Sequence, residues 1–274
     1  MKHSVRIQPL RWYGGKQAKG KADWIVSLLP WSLNSVYVEP FGGMASVLAR
    51  RAEVKCEIYN DLDGRVVNWF MVLRERTKEF LHLMNLSPHS REEYDRAFDM
   101  LNDEDDLRRA WAFWMVISQG LYPTTEEKYW VVAKNHNAGW PRPWKDERIT
   151  NLVDRFKNVQ FENRDAIELL EWVSKVKNAV IYCDPPYYSA NMAKYQTKSV
   201  DIDKLERVLL DQEGKVAISG YGNEWDHLGW ERSEFSTSII TAGANTIVEP
   251  RVEVVWTNYD VRSLENVGGL FDQL

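Results

Sequence analysis

The chain has little that would take it out of a reducing, aqueous compartment. Its 274 residues include two cysteines, Cys56 and Cys183. Each lies in an apolar, strand-like run, where a buried free thiol is expected before a disulfide or a metal ligand. Such sparing use of cysteine predicts a cytoplasmic setting. No apolar run approaches the roughly 18 residues that cross a bilayer. The longest, near Val176 to Cys183, is broken by Lys177 and Asn178. Residues 1–10 contain no apolar h-region, so no signal peptide is expected. The five histidines and two cysteines are too scattered for a zinc site, and no Ser-His-Asp arrangement stands out. Repeats and low-complexity tracts are missing. So is an excess of cations, since the net charge is −5, which weighs weakly against a nucleic-acid binder.

What is present is unevenly placed. Residues 1–25 carry Lys2, Arg6, Arg11, Lys16, Lys19 and Lys21 against Asp23 alone. Residues 128–157 carry Lys128, Lys134, Arg142, Lys145, Arg148, Arg155 and Lys157 against Asp146, Glu147 and Asp154. Local basic faces on an acidic protein fit either phosphate contacts or plain solvated surface.

Three short apolar runs each end in turn chemistry. Ser35–Val38 leads into Glu39-Pro40-Phe41-Gly42-Gly43 and a helix-like stretch from Ala45 to Ala52. Cys56–Tyr59 ends at Asn60-Asp61, before a helix-like stretch from Arg65 to Arg76. Ala179–Cys183 runs into Asp184-Pro185-Pro186-Tyr187. Strand, turn, helix in succession predicts an α/β fold with a mostly parallel sheet. Lys215–Ser219 and Glu253–Thr257 supply further strands. Between about 77 and 150 the pattern changes. Leu81–Asp99 and Asp106–Ser118 read as helices, and the long stretch Tyr122–Trp144 has no clean period. A loop of that length is usually functional. In the helical part, Trp111 and Trp114 at i, i+3 spacing predict core positions. Trp140 and Trp144, interleaved with Arg142 and Lys145, suit contact with bases and phosphates.

Asp184-Pro185-Pro186-Tyr187 sits at the carboxyl end of a strand, where open parallel sheets bind ligands. A carboxylate, a proline-fixed carbonyl and an aromatic ring suit methylation of an aromatic amine, a poor nucleophile. Acceptors on its hydrogens let the nitrogen rehybridise and gather charge, and Tyr187 offers a stacking face. A simple strand-ending turn is the competing reading, because Asp-Pro is common in turns. Gly42-Gly43 suits close approach of backbone to a cofactor. Asp61 can take the hydroxyls of a ribose or cap a helix. Arg11-Trp12-Tyr13-Gly14-Gly15-Lys16 lacks P-loop spacing, and its Trp and Lys suit a small carboxylate.

In this order the motifs resemble the Dam-like class of adenine-N6 DNA methyltransferases. The family's amino-terminal Lys-Trp-x-Gly-Gly-Lys corresponds to Arg11–Lys16. Its cofactor loop corresponds to Glu39–Val47, with Ala45 standing where the second glycine is usual. Asn60-Asp61, Asp165 and the tetrapeptide Asp184–Tyr187 match in turn, and the similarity runs from residue 11 to about 260. The resemblance implies a Rossmann-like methyltransferase sheet formed by 1–76 and 151–274, carrying a mainly helical target-recognition insertion at 77–150. It implies S-adenosyl-L-methionine as cofactor, with Trp12 and Lys16 near the methionine carboxylate, Phe41, Gly42 and Gly43 under the cofactor, Asp61 on its ribose and Asp165 at its adenine. Asp184, beside the cofactor as well, would share catalysis with Pro185, Pro186 and Tyr187. Double-stranded DNA would be the partner, with Lys134, Asn135, Trp140, Arg142, Trp144 and Lys145 as candidate contacts. A monomer without membrane association is expected, and a cognate restriction endonuclease is a conceivable companion. The insertion departs from the stretch of GATC-specific members, reading Leu121-Tyr122-Pro123-Thr124 and Asn135-His136-Asn137-Ala138-Gly139-Trp140-Pro141, so GATC is not implied. Competing readings are cytosine-N4 methylation, which usually has Ser in place of Asp184, methylation of RNA or a protein glutamine, where Asn is common, and a DNA-binding protein with a decayed cofactor site.

Overall fold

The computed structural model describes residues 10, 15–16, 20–122, 124–130, 146–186, 200–236 and 252–264. Its centre is a seven-stranded sheet of β1 (Val36–Glu39), β2 (Cys56–Asn60), β3 (Gln160–Glu162), β4 (Ala179–Cys183), β5 (Lys215–Tyr221), β6 (Glu231–Ser236) and β7 (Val252–Thr257). The strand order is β3-β2-β1-β4-β5-β7-β6. Neighbours from β3 to β5 are parallel, while β7 runs antiparallel to both β5 and β6. This is a mixed α/β, Rossmann-like architecture.

The parallel strands are buried on both sides, so they read as continuous apolar runs, with β4 buried throughout. Alternate residues serve two cores. Tyr37, Tyr59, Val180, Tyr182, Ala217 and Val255 join helices α1 (Lys21–Leu28), α2 (Gly64–Glu75), α3 (Thr77–Leu86), α4 (Arg91–Asp99), α5 (Asp106–Gln119) and α6 (Asp146–Phe156). Val38, Ile58, Ile181, Cys183, Ile218, Val254 and Trp256 join α7 (Ala166–Val173) and α8 (Ile202–Leu210). The strand order reverses direction between β1 and β4, and this opens the crevice at their carboxyl ends.

The helical run that begins at Thr77 is not packed apart from the sheet. Asn68 of α2 donates to the Asp106 carbonyl (2.9 Å) and accepts from Arg109 (2.7 Å). Trp114 is fully buried and Trp111 nearly so. Burying each such side chain stabilises by roughly 1.5–3 kcal/mol.

Several expectations need correction. The helix read over Leu81–Asp99 is two helices, α3 and α4, because Ser87-Pro88 cannot continue the first and Ser90 caps the second through the Glu93 N–H. Ala45–Ala52 makes helical hydrogen bonds, Ala49 N–H to the Ala45 carbonyl and Arg51 N–H to the Val47 carbonyl, yet forms turns and not a regular helix. Cys56 is half-buried, at the opening of its strand; Cys183 is buried as expected. Two strands went unseen. β3 is three residues long, and β6 alternates half-buried with exposed residues at the sheet edge. No described helix is long and apolar enough to cross a membrane.

Candidate active site

The chemistry-bearing residues collect at the carboxyl edge of the parallel strands. After β1, Pro40 is buried, and its carbonyl accepts from Asn60 Nδ2 at 2.8 Å. Phe41 is half-buried against the α7–α8 core. Gly42 donates its N–H to the Asn60 carbonyl at 2.8 Å. A Cβ on Gly42 would lie 2.1 Å from Tyr59 Cε2, so glycine is demanded here by the Tyr59 ring. Gly43 adopts φ 48° and Ala45 φ 51°, both left-handed, and Ala45 is fully buried. The Tyr59 hydroxyl donates to the Gly43 carbonyl and ties the loop to β2.

After β2, Asp61 accepts from Gly43 N–H on Oδ2 (2.7 Å) and from Asp63 N–H on Oδ1 (2.8 Å). Burial pushes its carboxyl up to about 6, against the lowering effect of those two N–H groups. The helix-cap alternative for Asp61 goes to its neighbour: Asp63 caps α2 by accepting from Arg65 N–H. Asp165, at the end of β3, is exposed and caps α7 through Ile167 N–H at 2.7 Å.

The β4 end is built differently. Lys16 Nζ lies 2.6 Å from Asp184 Oδ1 and 3.0 Å from Glu253 Oε1. Ser219 Oγ, on β5, donates to the same Oδ1 at 2.8 Å, and Tyr182 hydroxyl donates to Ser219 Oγ at 3.1 Å. Lys21 Nζ lies 2.7 Å from Glu253 Oε2. Lys16 is 2% exposed and Glu253 fully buried, so the charges are compensated away from bulk water. Burial would strip the Lys16 proton, but the Asp184 and Glu253 carboxylates outweigh it and hold the ammonium above its usual range. Pro185 and Pro186 line a shallow cavity with Ile202, Asp203, Glu224, Trp225 and His227.

The structure therefore brings Lys16 onto Asp184, and Gly43 onto Asp61, on either side of the crevice. Sequence reading placed Lys16 toward a ligand carboxylate and overlooked Ser219, Tyr182, Lys21 and Glu253. Ser219 and Glu253 each read there only as residues of an apolar strand. A polar residue in such a run, at the strand's carboxyl end for Ser219, was the available signal. Trp12, Tyr187 and the candidate DNA contacts Lys134, Asn135, Trp140, Arg142, Trp144 and Lys145 lie outside the described residues.

A family model for the D12 class of N6 adenine-specific DNA methyltransferases matches residues 12–229. The chain belongs to that family. It is accordingly an adenine-specific DNA methyltransferase, and DNA is its substrate. The matched span runs from the residue beside Arg11 to the loop before β6, so it includes Lys16, Asp61, Asp184 and Ser219 and stops short of Glu253. A search of curated proteins finds no match. Among solved structures, a protein described as precorrin 8w decarboxylase of Methanobacterium thermoautotrophicum aligns over 89% of this methyltransferase and 92% of its own chain. At 11% identity and a TM-score of 0.41, that likeness carries no argument.

Proposed function

We propose that the methyl donor is S-adenosyl-L-methionine and that Asp184 is the catalytic acceptor for the target amine. The observation that carries this is the position of Asp184. It stands at the carboxyl end of β4, beside the crevice where the strand order reverses, with Oδ1 anchored by Lys16 and Ser219. A carboxylate oriented this way accepts a hydrogen of adenine N6, and the Pro185 carbonyl, held by the two prolines, accepts the other. The nitrogen lone pair is then turned out of conjugation and free to attack, and positioning plus preset acceptors supply the rate. Tyr187 would stack on an adenine turned out of the duplex.

The other corner fits the donor. Each Asp61 oxygen takes one backbone N–H, and a carboxylate offers roughly four acceptor directions, so a ribose diol can be taken as well. The Gly42–Gly43 backbone and Phe41 would supply the surface beneath it, and the exposed Asp165 would take the adenine amine. When bound, S-adenosylmethionine supplies an electrophilic sulfonium methyl. Trp12 and Lys16 belong to this reading at the methionine end, where the Lys16 ammonium, paired with Asp184 and Glu253, would share its hydrogens with the methionine carboxylate. Residues 77–150 would read the target, their cations on phosphates and their loop side chains on bases.

The test is Asp184→Ala with Asp184→Asn beside it, assayed for methyl transfer to DNA and for thermal melting. The expected loss in kcat is roughly a thousandfold for Ala with the fold retained. Turnover close to wild type would remove Asp184 from the chemistry.

A further inference from the structure

Glu253 lies outside the tetrapeptide and outside the cofactor loop, on the antiparallel strand β7, yet it is fully buried beside the catalytic corner. Such a group demands a reason, because an ionised carboxylate in a strand interior is costly unless paired. Its two oxygens are divided between two lysines: Lys16 at 3.0 Å and Lys21 at 2.7 Å. Burial would raise its pKa, but the two ammonium groups outweigh burial and keep it below the usual range. Lys21 opens helix α1, and Lys16 precedes it by five residues. Glu253 thus ties the segment ahead of α1 to the sheet at the point where Lys16 meets Asp184.

The sheet geometry explains why β7 can do this. Tyr221 on β5 is the register partner of Glu253, and Ser219, the other donor to Asp184 Oδ1, lies two residues earlier on the same face. Two adjacent strands therefore each send one polar side chain toward Asp184, Ser219 directly and Glu253 through Lys16.

We propose that Glu253 is a positioning residue for methyl transfer: by holding Lys16 in place it fixes Oδ1 of the Asp184 carboxylate. This inference rests on the catalytic assignment of Asp184. Among the described residues, the groups that face Lys16 are Asp184 from the end of β4, Tyr221 from β5 and Glu253 from β7, with Tyr182 and Ser219 behind Asp184 and Lys21 beyond Glu253. Removing the Glu253 charge withdraws one of the two carboxylates that keep the buried ammonium protonated. Lys16 then loses its proton at lower pH, and Asp184 loses its cation with it.

The experiment measures kcat, KM for DNA and the pH profile of kcat for Glu253→Gln, Lys16→Met and the double variant, with melting curves as a check on the fold. Glu253→Gln is expected to lose on the order of tenfold to a hundredfold in kcat, with KM for DNA changed little. Its rate should turn down at a lower pH than in the wild type. The double variant should be no slower than Lys16→Met alone, since Glu253 acts through Lys16. Should Glu253→Gln fold poorly, Lys21→Met/Glu253→Gln removes cation and carboxylate together and carries the same test. A wild-type kcat and pH profile in either Glu253 variant would overturn the proposal. So would losses that simply multiply in the double variant, or a lowered melting temperature with no change in kcat or its pH profile. Asp184→Ala separates the two readings: if it is inactive while Glu253→Gln behaves as wild type, only the role of Glu253 falls.

Discussion

Two aspartates flank β1 at the carboxyl edge of one sheet, and the molecule treats them in opposite ways. Asp184 sits in a chain of charges, with Lys16 on its Oδ1, Glu253 behind Lys16 and Lys21 behind Glu253. Asp61 has no cation within ion-pair distance among the described residues, and two backbone N–H groups hold it instead. Burial leaves its carboxyl at about 6, close to neutrality, despite those two hydrogen bonds. The difference suits what each would meet in the proposed reaction. An acceptor for an amine that gathers positive charge gains from being rigidly oriented by charged and polar partners. An acceptor for a neutral diol needs placement above all, and peptide dipoles on a packed loop supply it. The Asp184 corner should therefore respond to changes of charge, and the Asp61 corner to changes of shape.

The largest effect expected at the Asp61 corner is steric. In Gly42→Ala the new methyl would lie 2.1 Å from the Tyr59 ring. That ring cannot step aside, since Phe70 and Phe161 pack on it with centroids 5.3 Å away on each contact. The loop must move, at a cost of about 3 kcal/mol. For a protein of this size the melting temperature should fall by roughly 6–12 °C, and binding of S-adenosylmethionine should weaken with it. A variant that melts within about 2 °C of the wild type would show that the loop is not held by shape, and the contrast between the corners would break there.

A smaller effect separates the corners by pH. If Asp61 receives the ribose hydroxyls, its carboxylate form is the competent one. Above a pH of about 6 the group is ionised and the dissociation constant for S-adenosylmethionine should be level. Below that pH protonation removes an acceptor, so the dissociation constant should rise, by at most about tenfold per pH unit. Calorimetric titrations at a series of pH values check this, and Asp61→Asn should bind more weakly with this dependence gone. A level affinity from about pH 5 to pH 7 in the wild type would remove Asp61 from the donor site.

How much of this was legible in the sequence depends on what kind of signal each part leaves. β1, β2 and β4 were readable because parallel strands buried on both faces are unbroken apolar runs ending in turn residues. β3 was not, because three residues cannot show a period, and β6 was not, because edge strands alternate with polar side chains. The split of α3 from α4 was written in Ser87-Pro88, a signal passed over in favour of the helical period around it. At the site, Asp61, Asp184 and Gly42-Gly43 were legible as polar or glycine residues at strand ends. The charge chain was not, since Lys16 and Glu253 are 237 residues apart and only the sheet order brings them together. A second reason for Gly42, beside the close approach to a cofactor, was not legible either. It clears a tyrosine ring, a contact that exists only once β1 and β2 are side by side.

The smallest expected effect lies three residues further along the same loop. Ala45 holds φ 51° where the family's loop usually has glycine, so its Cβ crowds its own backbone. A left-handed alanine costs about 1–2 kcal/mol. Ala45→Gly relieves that strain but gives up a fully buried methyl, worth about 0.8 kcal/mol. The balance favours glycine by roughly 0.5 kcal/mol, a rise in melting temperature of about 1–2 °C. The turn that follows accepts at the Ala45 carbonyl from Ala49 N–H, at 2.9 Å, and glycine leaves that bond unchanged. A fall of more than about 2 °C on thermal melting would show that packing of the methyl outweighs the backbone strain. In that case the loop tolerates alanine because the core claims it, and the shape that governs the Asp61 corner extends from the Tyr59 ring to the buried turn behind it.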